Sequence, residues 1–152
     1  HMDLIKTNKQ KKRSVYKGDG YYRKLWHFVD TIWLDEHVKM LKSIVPDHVV
    51  YHGHNDECMW LDTKEIEGVP ASTLEHTPEF IEKIYKFCLD NIEQTLPYVH
   101  GDWVLSNIIV NGDDMYMIDW DNCNVYPKHM VIEKMQKDLR SAFGDKFDPS
   151  KF

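Results

Sequence analysis

The chain has 152 residues, 42% of them hydrophobic, which suits one sizeable domain or two very small ones rather than a disordered segment. Its 25 acidic residues outnumber its 19 basic ones, for a net charge of −6 that argues against a general nucleic-acid binder. No apolar run is long enough to span a membrane, no signal peptide follows the vector-like His1-Met2, and 3 scattered cysteines (Cys58, Cys88, Cys123) read as reduced thiols, so a cytoplasmic protein is expected.

In chain order, Asp3 to Thr7 is a short strand candidate and Asn8 to Arg13 a basic polar turn. Ser14 to Tyr16 resumes an extended pattern. After a Gly18-Asp19-Gly20 turn, Tyr21 to Trp26 is rich in strand-forming aromatics, so the spacing predicts an antiparallel meander. Asp30 or Thr31 can cap a helix running to about Val45. Leu34, Val38, Leu41 and Val45 recur on one helical face, and Pro46 ends it. His48 to His54 and Glu57 to Thr63 read as two strands around an Asn55-Asp56 turn. His52, His54, Asp56 and Cys58 alternate there, which sets a candidate metal site against an ordinary polar hairpin tip. Glu65-Ile66-Glu67-Gly68-Val69-Pro70 reads as a linker. Thr77 caps a further helix with Pro78 in its first turn, and Phe80, Ile81, Ile84, Phe87, Cys88, Ile92 and Leu96 form its apolar face up to Pro97.

The most informative stretch follows. It runs His100-Gly101-Asp102-Trp103-Val104-Leu105-Ser106-Asn107, then a hairpin, then Ile118-Asp119-Trp120-Asp121. Ile108 to Val110 reads as a strand, Asn111-Gly112 as its turn, and Met115 to Ile118 as the returning strand that delivers Asp119 beside Asn107. Phosphoryl transfer can use this spacing: one carboxylate to meet a hydroxyl, and an amide and a second carboxylate to hold magnesium against nucleotide phosphates. Such oxygens are the hard ligands Mg²⁺ prefers. A last helix is predicted over about Pro127 to Phe143, with Ile132, Met135, Leu139 and Ala142 apolar and Gly144 as its cap.

The segment from Tyr98 to Asn122 resembles the catalytic loop and metal-binding motif of the aminoglycoside phosphotransferase and choline kinase family, a branch of the protein-kinase-like fold. Gly101, where protein kinases usually carry Arg, points to the small-molecule branch. The resemblance implies Asp102 as catalytic base, Asn107 and Asp119 as magnesium ligands, Asp121 as a further metal-proximal carboxylate, and His100 as an architectural residue. It implies an α+β, minimal two-lobed fold: an N-terminal antiparallel sheet with one helix over 3–67, and a reduced helical lobe with the catalytic hairpin over 68–152. It also implies a strand lysine for the phosphates, Lys24 with Arg23 as alternative, and a helix carboxylate paired to it, Glu36 with Asp35 next. The Glu65-to-Gly68 segment, with Glu65 and Glu67, would read the adenine edge through its backbone. Ile109 and Ile118 would form the apolar floor beneath the base.

Three departures stand out. There is no G-x-G-x-x-G loop; Lys9, Lys11, Lys12 and Arg13 offer charge in its place. The helices that usually shape an acceptor pocket are absent, and so is a long activation segment. The expected function is transfer of the gamma-phosphoryl group of ATP, with GTP as the alternative, to a hydroxyl of a sugar, aminoglycoside or choline-like alcohol, with Mg²⁺ as cofactor. The competing reading is a catalytically inactive kinase-like module that binds nucleotide or a protein. A protein kinase comes third. Nucleotide and small-molecule acceptor are the expected partners, without nucleic acid or membrane, and a homodimer would supplement the small core.

Overall fold

Strand-forming runs separated by polar turns account for the N-terminal part of the chain. The computed structural model describes residues 1–152, which divide into unit 1, His1–Glu65, and unit 2, Ile66–Phe152. In unit 1, β1 (Asp3–Asn8), β2 (Arg13–Lys17), β3 (Tyr21–Trp26), β4 (Val49–His54) and β5 (Met59–Lys64) form an antiparallel sheet in the order β1-β2-β3-β5-β4. The helix α1 (Thr31–Ile44) lies between β3 and β4 in the chain, and Asp30 caps it by accepting the Trp33 N–H at 3.1 Å.

Register decides which side chains share a face, because directly opposed residues point the same way. Val15, Lys24 and Leu61 lie in one row, and Tyr16, Arg23 and Asp62 in the next. Trp26, on the Lys24 side of β3, meets Trp33 of α1 edge-on at 5.3 Å, so α1 covers the face that carries Lys24. Leu34, His37, Val38 and Leu41 are the buried stripe of α1. Glu36 and Asp35, the expected partners of the strand lysine, are exposed on α1. The reason is rotational: seating Leu34, Val38 and Leu41 on the sheet turns the intervening Glu36 to solvent. Arg13 is corrected as well. It opens β2 and is buried, rather than lying in a solvated turn.

Unit 2 contains two small sheets and two helices. β6 (Val69–Pro70), β8 (Ile108–Asn111) and β9 (Asp114–Met117) form one sheet in the order β6-β8-β9, while β7 (Tyr98–Val99) pairs with β10 (Asn124–Val125). Asn111 belongs to β8 opposite Asp114, so Gly112 and Asp113, not Asn111 and Gly112, make the turn. With φ +61 at Gly112, and Asp113 outside the positive-φ region, the turn has glycine at its first central position, as a type II′ hairpin requires. Gly68, at φ +138, lies so close to β8 that a Cβ would sit 2.5 Å from the Val110 carbonyl.

The helix α2 (Pro78–Thr95) is capped by Thr77 and buries Ile81, Ile84, Cys88 and Ile92. The helix α3 (Lys128–Phe143) buries Val131, Met135, Leu139 and Phe143. That stripe is rotated from the expected one, and Ile132 and Ala142 remain half-exposed. Gln136 of α3 donates to the Tyr85 hydroxyl of α2 at 3.2 Å. Burial pushes the thiols of Cys88 and Cys123 up to about 12, so neither is a ready nucleophile. No helix is long and apolar enough to cross a membrane.

Candidate active site

The loop between β7 and β8 has almost no ladder of its own, so its backbone groups find partners among side chains. His100, fully buried, supplies two of them. Its Nε2 lies 2.8 Å from the Ile118 carbonyl, which can only accept, so Nε2 carries the proton; Nδ1 then accepts the Asp102 N–H at 3.2 Å. One imidazole thus ties the residue that precedes Asp119 to the backbone of Asp102. The ring is held between Trp103 at 5.7 Å and Trp120 at 4.8 Å, both buried. Trp120 also donates from Nε1 to the Met117 carbonyl.

A second brace comes from α3. Asp138 accepts the Trp103 N–H at 3.0 Å and receives Lys134 at 2.6 Å. The third brace is within the motif. Asn107 donates from Nδ2 to the Asp102 carbonyl at 3.3 Å and to its Oδ2 at 3.2 Å. Asp102 Oδ1 is then the oxygen that can receive a hydroxyl proton, and Asn107 Oδ1 is turned toward other ligands.

The Ile118 N–H reaches the Asn107 carbonyl at 2.8 Å, so the next residue, Asp119, begins beside Asn107. Asp119 has φ +61, a conformation that costs a non-glycine residue on the order of 1 kcal/mol and persists where surrounding contacts impose it. Asp119 and Asp121 are half-exposed on either side of buried Trp120. No three His, Cys, Asp or Glu side chains gather into an all-protein cage, and the hairpin set His52, His54, Asp56 and Cys58 forms none. There, Asn55 Oδ1 instead organises the turn by accepting the Glu57 and Cys58 N–H groups. A few side-chain oxygens completed by phosphate and water are what Mg²⁺ uses, so Asn107, Asp119 and Asp121 fit that ion chemically.

Gly101 has a steric reason. At φ +84, a Cβ there would lie 2.9 Å from the Asn122 carbonyl. Ile109 is buried in β8, with its Cγ2 2.8 Å from where a Gly68 Cβ would be. Ile118 lies just past β9 and is half-buried.

The sequence matches the RIO domain family over residues 5–144. The chain belongs to the RIO domain family. RIO domains are protein-kinase-like, and solved structures agree on the fold. The aminoglycoside phosphotransferase APH(3'')-Id from Streptomyces rimosus superposes with a TM-score of 0.64 at 14% identity, over 95% of this chain and 79% of that one. WbdD, crystallised with a kinase inhibitor, gives 0.59 at 16% identity, over 88% of this chain and 36% of that one. The Cydia pomonella granulovirus kinase PK-1 gives 0.50 at 16% identity, over 82% and 55%. A comparison with curated proteins finds no match. The chain is therefore a small α+β RIO domain of protein-kinase-like fold. Identities this low carry the fold and not membership of the aminoglycoside phosphotransferase branch.

In this RIO domain, unit 1 separates the two candidate phosphate cations. Arg23 forms a two-pronged ion pair with buried Asp62, at 2.7 and 2.9 Å, and that hydrogen bonding raises its guanidinium pKa. Lys24 lies on the opposite face, near buried His48. Burial lowers the His48 imidazole to about 4, and the charge of Lys24 adds to the effect. Glu65 is engaged inside unit 1. Its carboxylate holds Lys17 at 3.0 Å and its N–H bonds the Gly20 carbonyl at 3.0 Å, so that N–H is not offered to a base. Glu67 is exposed in unit 2.

Asp138 was not among the sequence candidates. A carboxylate among Val131, Met135, Leu139 and Phe143 was its signal, since a charge on a buried stripe must have a partner.

Proposed function

We propose that this RIO domain transfers the gamma-phosphoryl group of ATP, with Mg²⁺, to the hydroxyl of a small molecule. The observation that carries the reading is the Asn107–Asp102 bond at 3.2 Å in a loop held by His100 and Asp138, with Asp119 entering beside it in a strained conformation. Asp102 orients the acceptor hydroxyl and takes its proton. Asn107 and Asp119 hold the metal, with Asp121 close to it, and Lys24 of unit 1 is the cation for phosphate. Bound magnesium supplies charge neutralisation on the phosphate oxygens. Glu67 and Ile109 remain assigned to the nucleotide.

A thermal-shift titration with ATP, with and without Mg²⁺, tests this reading. A magnesium-dependent rise in melting temperature that Asp119→Asn removes is the expected result, because a ligand selective for the native state stabilises it. ADP release is then measured against a panel of hydroxyl acceptors. No shift at millimolar ATP would leave the inactive-module reading. The RIO family match favours a protein hydroxyl as the second acceptor class, and phosphate incorporation into protein with none into the small-molecule panel would select it.

A further inference from the structure

One end of the unit 1 sheet carries a patch that the scheme above does not use. Arg13, Trp26, Met59 and His54 lie in one cross-strand row, so the β1–β2 turn, the exit from β3 and the β4–β5 turn meet at that end. The loop from β3 to α1 leaves between the two turns. Its His27 N–H bonds the Lys12 carbonyl at 2.8 Å on one side, and its Asp30 N–H meets the Met59 sulfur at 3.4 Å on the other. This loop and the first turn of α1 expose Phe28 at 40%, Val29 at 39%, Ile32 at 76% and Trp33 at 36%. A single exposed apolar residue is ordinary, but four within six positions form a contiguous patch. Trp33 is already held, stacked on His37 at 4.7 Å and edge-on to Trp26 at 5.3 Å, so covering it costs little side-chain entropy.

The flanks of the patch differ in sign. The β1–β2 turn exposes Lys9, Lys11 and Lys12. The β4–β5 turn exposes Asp56 and Glu57, and α1 adds the exposed Asp35 and Glu36 one helical turn beyond Ile32. In the strand order β1-β2-β3-β5-β4 the two turns are three strand spacings apart, about 14 Å. That exceeds the screening length of about 8 Å in physiological salt, so the lysines and the turn carboxylates of one chain do not neutralise one another.

We propose that this end of unit 1 is the contact surface for a second copy of the chain, related by a two-fold axis through the apolar patch. A two-fold sets one flank of each copy on the opposite flank of the other. Each lysine turn then faces the other copy's Asp56–Glu57 turn, the contact occurs twice, and the four apolar side chains cover their counterparts. The net charge of −6 opposes association in general, so matched flanks are what select this orientation. An anionic lipid surface or a nucleic acid would attract the lysines but meet four carboxylates, whereas a second copy complements both flanks. The inference does not depend on the phosphotransferase reading.

The test is sedimentation velocity of the full chain from low micromolar to submillimolar concentration, with circular dichroism to confirm folding. A monomer–dimer equilibrium is expected. Ile32→Asp should raise its Kd about tenfold or more without harming the fold, because an acidic residue suits the first turn of a helix. Lys9→Glu/Lys11→Glu and Asp56→Lys/Glu57→Lys should each weaken their own dimer about tenfold. Mixed one to one, they should form a heterodimer within about threefold of the wild-type Kd, since every facing pair is again opposite in sign. Lys12, at φ +48, is left in place so that the turn keeps its conformation. Should a charge variant fail to fold, Ile32→Asp and a rise of the wild-type Kd with added salt decide. A monomer at every concentration, a dimer that Ile32→Asp leaves intact, or charge variants that mixing does not rescue would overturn the proposal. So would binding to anionic vesicles by a chain that stays monomeric.

Discussion

On the sheet of unit 1 and at its margins, polar side chains pair with one another: Arg23 with Asp62, Lys17 with Glu65, and Ser14 with His27 at 3.0 Å. In unit 2 the polar side chains around the motif bind backbone. His100 holds Asp102 and Ile118, Asp138 holds Trp103, Asn107 holds Asp102, Thr95 holds Tyr98 and Tyr126 holds Asn122. The difference follows from the ladder. A five-stranded sheet satisfies its own N–H and C=O groups and leaves its side chains to pair across strands. A loop without a ladder must recruit side chains for its backbone, and those side chains fix the loop in one conformation. Positional accuracy is what phosphoryl transfer demands of a scaffold, so the braced loop, rather than the sheet, is the place to expect chemistry.

Four measurements would break or sharpen that contrast. The largest effect is expected of Asp102→Asn, which removes the base and keeps the size. Transfer rates should fall about 10²- to 10⁴-fold with the melting temperature nearly unchanged, and retention of full activity would move the chemistry elsewhere. Next is a property of unit 1. Folding holds His48 neutral, so the unfolded state takes up the extra proton as the pH drops below 6.5. Stability from this site is complete above pH 6.5 and is lost progressively toward pH 4, up to about 3 kcal/mol. His48→Gln should flatten that part of a plot of melting temperature against pH; an unchanged slope would exonerate His48.

Asp138→Ala should cost about 1–3 kcal/mol, because it leaves the buried Trp103 N–H without its acceptor. It should also lower kcat more than it raises KM for ATP, since the loop loses a brace and no nucleotide contact. Asp138→Asn, which keeps an acceptor oxygen, should recover most of that loss. Equal damage from both would mean that the charge, through Lys134, matters more than the bond. The smallest effect is assigned to Glu36→Gln. An exposed carboxylate on the outer side of α1 should change stability by less than about 0.5 kcal/mol and leave KM for ATP unaltered. A clear rise in KM would restore Glu36 as the partner of Lys24.

How far the site was legible depended on whether the signal was local. Asp102, Asn107 and Asp119 stood out because their spacing is a chemical pattern. The hairpin was readable because glycine is needed at φ +61, although the turn sits one residue later than the Asn111-Gly112 pair suggested. Arg23 and Lys24 could be separated in principle by strand alternation, but only the cross-strand partner Asp62 shows which of them is engaged. Glu36 faces outward because Leu34, Val38 and Leu41, the apolar face that the periodicity gives, are the buried one; its pairing with Lys24 came from the resemblance alone. Asp138 and Tyr126 were passed over because their partners lie far off in the chain or are backbone atoms, which carry no sequence signature.

The sequence by itself determined the order of the elements, the helix caps at Asp30 and Thr77, the hairpin and the motif from His100 to Asp121. These follow from turn chemistry, hydrophobic period and functional-group spacing, all of which act over a few residues. Only the tertiary structure decided the tautomer of His100, the engagement of Arg23 and Glu65, the Asp138 anchor and the bond from Tyr126 to the Asn122 carbonyl. Each of these depends on which buried donor or acceptor another group must satisfy, and that is settled only when distant parts of the chain come to share the same space.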